Sequence, residues 1–181
     1  MSNAMLGGGL ATGMFYTAPK GTALPTTPGT TPGASWVLVG DISEDGITLT
    51  RPNGDVIRNW ALDPVRKVNT ENGKITAPII DTSKKVLETL YGADNVTYTA
   101  ATSGHGNITS VTLSPDVSAE PAAYLFLMKD GNRLSMIGTT NGLITKIADT
   151  NFTGKDLVTR EAEIEGTWVK AYDDGEVASG S

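Results

Sequence analysis

Thr159-Arg-Glu-Ala-Glu-Ile-Glu-Gly-Thr-Trp-Val169 alternates acidic and apolar residues with a period of two. Glu161, Glu163 and Glu165 fall on one side of it, and Ala162, Ile164 and, further on, Trp168 on the other. That period belongs to a β-strand with one face on a core and one in water. Carboxylates about 7 Å apart along one strand face repel one another, so that face is expected to be well hydrated. It reads either as an ordinary solvated strand or as an acidic wall beside a water-filled space.

Working outward, dipeptides that accept positive φ recur along the chain. They are Asp45-Gly46, Asn53-Gly54, Asn72-Gly73, Asp130-Gly131, Asn141-Gly142 and Asp174-Gly175. Such pairs make hairpin turns. Between them lie β-rich runs near 36–39, 47–51, 55–59, 65–69, 74–80, 96–100, 108–113, 124–128, 133–137, 143–148 and 158–171. Many short strands with close turns predict an all-β sandwich or barrel. One helix near 82–91 interrupts them. Asp81 or Thr82 is its candidate N-cap, Gly92 its stop, and Val86, Leu87, Leu90 and Tyr91 its apolar face.

The ends look different. Residues 1–4 read as an expression scar before Met5, and 173–181 as a small, polar, flexible tail. Residues 5–35 read as a flexible N-terminal arm running into a long Pro/Thr/Gly-rich loop, leaving 36–172 as the folded domain. No basic leader followed by an apolar run is present, and no apolar stretch reaches the ~20 residues of a membrane span.

Composition narrows the chemistry. The chain has 181 residues, a formal net charge of −6, no Cys and one His. The acidic balance argues against a surface that grips nucleic acid through its phosphates. Without Cys there are no disulfides, thiolate nucleophiles or Cys-ligated metals. His105 sits alone in a Gly-rich loop. The Gly7–Gly13 stretch lacks the Gly-Lys-Ser/Thr ending of a phosphate loop. Glu161 and Glu163 have the chemistry of a glycosidase pair but no aromatic cleft beside them. The sequence therefore predicts no catalytic residues, no metal site and no cofactor.

Several phrases, in this order, carry a resemblance. They are Ala18-Pro-Lys-Gly-Thr22 with Leu24-Pro25, then Trp36 with Gly40 and Ser43-Glu-Asp-Gly-Ile47, and Asn59-Trp-Ala-Leu-Asp-Pro-Val-Arg-Lys67. The helix ending Val86-Leu-Glu-Thr-Leu-Tyr-Gly92, Gly142-Leu-Ile-Thr-Lys-Ile-Ala-Asp-Thr-Asn-Phe152 and the Glu-rich strand follow. Together, over roughly residues 14–172, they resemble the major tail (tail tube) proteins of long non-contractile-tailed bacteriophages.

The resemblance implies a two-sheet β-sandwich flanked by one helix. It implies six-fold rings in which one sheet of each subunit joins a continuous inner barrel, and stacked rings through which DNA passes. Its implied partners are further copies of the chain, a tape measure protein and a tail terminator, with no membrane and DNA only as passing cargo. The implied location is the virion tail, assembled in the bacterial host cytoplasm. On this reading Glu161, Glu163 and Glu165 face the lumen. The segment 52–78 is an assembly element, with 65–69 and 74–80 as arms of a hairpin turning at Asn72-Gly73. Arg66, Lys67 and Lys74 would cluster there to meet an acidic neighbour. Two other readings fit the residues: a type VI secretion tube protein and a non-catalytic carbohydrate-binding β-sandwich.

Overall fold

The computed structural model describes residues 12–43, 46–51, 55–57, 66–68, 72–80, 83–113, 120–130, 133–148 and 160–173. The strands are β1 (Thr12–Pro19), β2 (Val37–Ile42), β3 (Thr48–Thr50), β4 (Asp55–Ile57), β5 (Arg66–Val68) and β6 (Gly73–Ile79). After helix α1 (Lys84–Tyr91) come β7 (Val96–Thr99), β8 (Ile108–Val111), β9 (Ala122–Asp130), β10 (Arg133–Ile147), β11 (Arg160–Gly166) and β12 (Val169–Asp173). The fold is all-β with one helix, as the turn pattern predicts. Six strands run β11-β10-β9-β1-β2-β6, and β6 pairs back onto β11, closing a barrel. β12 extends it beside β10, and β3 beside β6. The hairpins β4–β5 and β7–β8 form separate two-stranded sheets.

β10 links the two layers of the barrel. Its first half pairs with β9 and β12, and its second half, from Gly142 to Ile147, with β11. The sequence predicts two strands here with a turn at Asn141-Gly142. Instead the strand runs straight through, and its pairing with β9 slips between Thr139 and Gly142. A Cβ on Gly142 would lie 2.7 Å from the Tyr124 ring and 2.8 Å from the Thr139 methyl. This glycine serves close packing at a bulge rather than a turn. Conversely, the run near 158–171 is two strands, broken at Thr167-Trp168.

The core lies inside the barrel. Phe15, Ile75, Ile79, Phe126 and Ile164 are fully buried there. Phe15 stacks on Phe126 at 4.8 Å between ring centroids and on Tyr124 at 5.9 Å. Burial pushes the Tyr124 hydroxyl up to about 12, so it stays neutral. α1 plugs the same core with Val86 and Leu90. Its N-cap is Ser83, whose hydroxyl accepts from the Val86 N–H, rather than Asp81 or Thr82. Gly92 ends it at φ 85°, as expected.

The N-terminal region departs from the sequence expectation. Thr12–Pro19 is no arm: β1 lies between β2 and β9 in the barrel wall. Residues 5–11 lie outside the described residues. The inward positions Gly13, Phe15 and Thr17 run small, large, small, so no hydrophobic alternation marks the strand in the sequence. The Pro-rich stretch 20–36 is a strap over the outer side of β1, β9 and β10. There Trp36 and Leu24 join a second apolar cluster with Ala18, Ala123, Leu125, Leu127 and Met136. The Trp36 indole N–H donates to the Ala23 carbonyl (3.3 Å), and the Gly21 N–H to that of Thr140 (2.7 Å). β9 is thus buried on both faces, which explains its unbroken apolar run from Ala122 to Met128. At the other end β12 continues through Asp173, and residues 174–181 lie outside the described ones.

Candidate functional site

The second layer of the barrel consists of β3, β6, β11 and the second half of β10. Its outward side carries the acidic residues singled out in the sequence. Along β11, Ala162 and Ile164 are fully buried, while Glu161 is exposed and Glu163 and Glu165 are half-buried. β6 alternates in the same way, with Ile75, Ala77 and Ile79 buried and Lys74, Thr76 and Pro78 turned outward. Thr48, Thr50, Thr145 and Lys146 also lie on it, all exposed, as does one apolar side chain, Leu143, opposite Glu165. This side is open to solvent, whereas the strap roofs the outer side of the other layer.

The face is less acidic than the strand alone suggests. The register sets Glu165 opposite Lys74 on β6, and Glu163 opposite Lys146 on β10. Lys74 Nζ donates to Glu163 Oε2 at 3.0 Å and lies 3.8 Å from Glu165 Oε1. Lys146 Nζ approaches the other Glu163 oxygen at 3.5 Å. Glu163 is therefore held between two ammonium groups, one at each oxygen. The hydrogen bond from Lys74, reinforced by the charges of Lys74 and Lys146, holds its carboxyl below the usual glutamate range. Glu163 keeps its charge to lower pH than an unpaired glutamate, and both contacts are lost only as pH falls through that lowered value. Against three carboxylates stand two lysines, leaving −1 on this patch (2 − 3) rather than −3. The expected mutual repulsion is largely offset across strands. Solvent-exposed pairs of this kind contribute little net stability, so their consequence is the charge of the surface.

Of the predicted hairpin of 65–69 with 74–80, residues 65 and 69 lie outside the described residues, and the described residues of the two arms do not pair with each other. β5 pairs with β4, setting Arg66 opposite Ile57 and Lys67 opposite Val56, while β6 enters the barrel wall. Lys74 is thereby separated in role from Arg66 and Lys67 and joins Glu163. Asn72 is exposed just before β6. Gly73 makes no turn: a Cβ there would lie 2.9 Å from the Trp168 ring, whose indole N–H donates to the Gly73 carbonyl at 2.9 Å. The Trp168 contact demands glycine at 73, and in the sequence that need looks like a turn signal. Lys146 is the charged residue of this face that the sequence does not single out. Its only sequence signal is a cation amid the β-branched run near 143–148.

His105 closes an exposed bridge with Thr102, its Nδ1 2.7 Å from the Gly106 carbonyl. Among the described residues no three His, Asp or Glu side chains gather as a metal site, and no helix is long and apolar enough to cross a membrane. Residues 6–170 match the family model described as phage tail tube protein. The chain belongs to the phage tail tube protein family. No curated protein matches it. It is thus a structural component of a phage tail, from a family whose role is non-enzymatic. In this tail tube protein the two layers of the barrel thus differ on their outer sides, one open with mixed charge and the other covered by the strap.

Proposed function

We propose that this chain assembles into six-fold rings that stack into the tail tube, with the open β3-β6-β11-β10 layer facing the lumen and DNA passing along it at ejection. The carrying observation is the asymmetry of the barrel. One outer side is buried under the strap, and the other is open to solvent, polar except for Leu143, and slightly negative. A conduit for a polyanion must be wettable and must not bind phosphate. Here Lys74 and Lys146 are already engaged by Glu163, and a residual negative charge repels phosphates within a Debye length of about 8 Å. Glu161, Glu163 and Glu165 are the lumen residues in this reading. The β4–β5 ribbon, with Arg66 and Lys67 on β5, is the assembly element that meets an acidic neighbouring copy.

The tape measure and tail terminator proteins are the further partners, and assembly takes place in the bacterial host cytoplasm before the tube becomes part of the virion tail. No observation favours the type VI or sugar-binding alternatives, and the family match supports the phage reading. Negative-stain microscopy of the concentrated purified protein tests the proposal. Rings or tubes are expected. A field of single subunits at every concentration and salt tried would count against self-assembly.

A further inference from the structure

Between Asp94 and Asp116 the chain contains no Asp, Glu, Lys or Arg, although charged residues make up 19% of it. This charge-free stretch holds the β7–β8 ribbon. In its register Val96 faces Val111, Thr97 faces Ser110, Tyr98 faces Thr109 and Thr99 faces Ile108. The side bearing Val96, Thr109 and Val111 is half-buried and packs toward α1, with Lys84 Nζ 5.4 Å from the Tyr98 ring centroid. The other side, with Thr97, Thr99, Ile108 and Ser110, is exposed. Among the described residues β7 and β8 pair only with each other, so each has an open edge.

Natural proteins guard such edges with charges, prolines or bulges, and this ribbon has none of them. A two-stranded ribbon is also marginal by itself in water. These features suit an edge made to be paired. The acidic chain supplies the reason for its lack of charge. Copies carrying −6 each repel one another, and a contact through an uncharged segment brings no like charges together.

The sheet order suggests the partner surface. The ribbon sits on α1, and α1 packs against β2, at one flank of the layer β2-β1-β9-β10. At the other flank lies β12, which among the described residues pairs only with β10. It exposes Val169 (51%) and Tyr172 (65%). A ring built from one chain needs two different, complementary patches on opposite flanks of each copy. The ribbon and β12 meet that requirement: one edge is uncharged, and the other exposes Val169 and Tyr172 on its two faces, flanked by Lys170 and Asp173.

We infer that the β7–β8 ribbon of one copy docks edge-on along β12 of the next, extending its sheet and bringing Ile108 and Thr99 to the face that carries Tyr172. The contact rests on the ring reading above. The natural absence of cysteine makes it directly testable. Thr99→Cys and Tyr172→Cys are made in separate chains, mixed, assembled and oxidised with copper-phenanthroline. A mixed disulfide dimer is expected on a non-reducing gel, and none from Thr31→Cys mixed with Tyr172→Cys. Ile108→Asp should abolish rings while leaving the melting temperature of the free subunit near that of the parent. Rings that form without the Thr99–Tyr172 cross-link would overturn the contact and leave the ring reading intact. A Thr99 self-cross-link alone would overturn it in favour of ribbon-to-ribbon pairing. Failure of the unmodified chain to form rings would remove both.

Discussion

Phe15→Ala should cost about 3–5 kcal/mol of folding stability. The side chain is fully buried, stacked between Phe126 and Tyr124, and points from the wall strand β1 into the core. Truncation removes its transfer free energy and leaves a cavity beneath two rings fixed by their own strand pairings. β9 and β2 are held on either side and can collapse only partly. For a domain with a typical stability of ~5–15 kcal/mol, the loss is about a fifth or more of the total. Urea unfolding of parent and variant gives the difference directly. A change below about 1 kcal/mol, the level of an ordinary surface substitution, would mean that Thr12–Pro19 is not a core strand.

The strap carries the second large effect. Trp36→Ala is expected to destabilise by about 3 kcal/mol, at the low end for a buried tryptophan. The loss is smaller than for an enclosed ring because the strap can settle onto Leu125 and Met136. The Ala23 carbonyl, freed of the indole N–H, can also take a water instead. Because the indole pins the strap, the variant should be cut faster by trypsin after Lys20, an exposed residue at the start of the strap. Unchanged stability and an unchanged cleavage rate together would show that residues 20–36 do not roof the sheet.

Much of the architecture is legible in local pattern. The alternation in β6 and β11, the turn at Gly46, the β9–β10 hairpin and the apolar face of α1 all follow from spacing that each segment carries in itself. What is not legible depends on what a segment meets. β1 lacks alternation because its inward neighbours of Phe15 are small, so a core strand looks like an arm. Asn72-Gly73 and Asn141-Gly142 look like turns because a glycine kept for Trp168 or Tyr124 is chemically the same as one kept for positive φ. The charge of the open face is hidden for the same reason. Lys74 and Lys146 reach Glu163 from strands remote in sequence, and nothing within 159–169 announces them.

Thiol accessibility in assembled tubes shows whether the open β3-β6-β11-β10 layer is the inner wall. A single cysteine at Glu161 places a reporter on that layer, and one at Thr31, exposed on the strap, reports on the opposite side. In free subunits both should react with a bulky polymer-linked maleimide. In tubes, Glu161→Cys should be closed to the bulky reagent yet still react with a small one that diffuses in from the ends, while Thr31→Cys remains open to both. Full reaction of Glu161→Cys with the bulky reagent in intact tubes, with Thr31→Cys protected, would contradict the account.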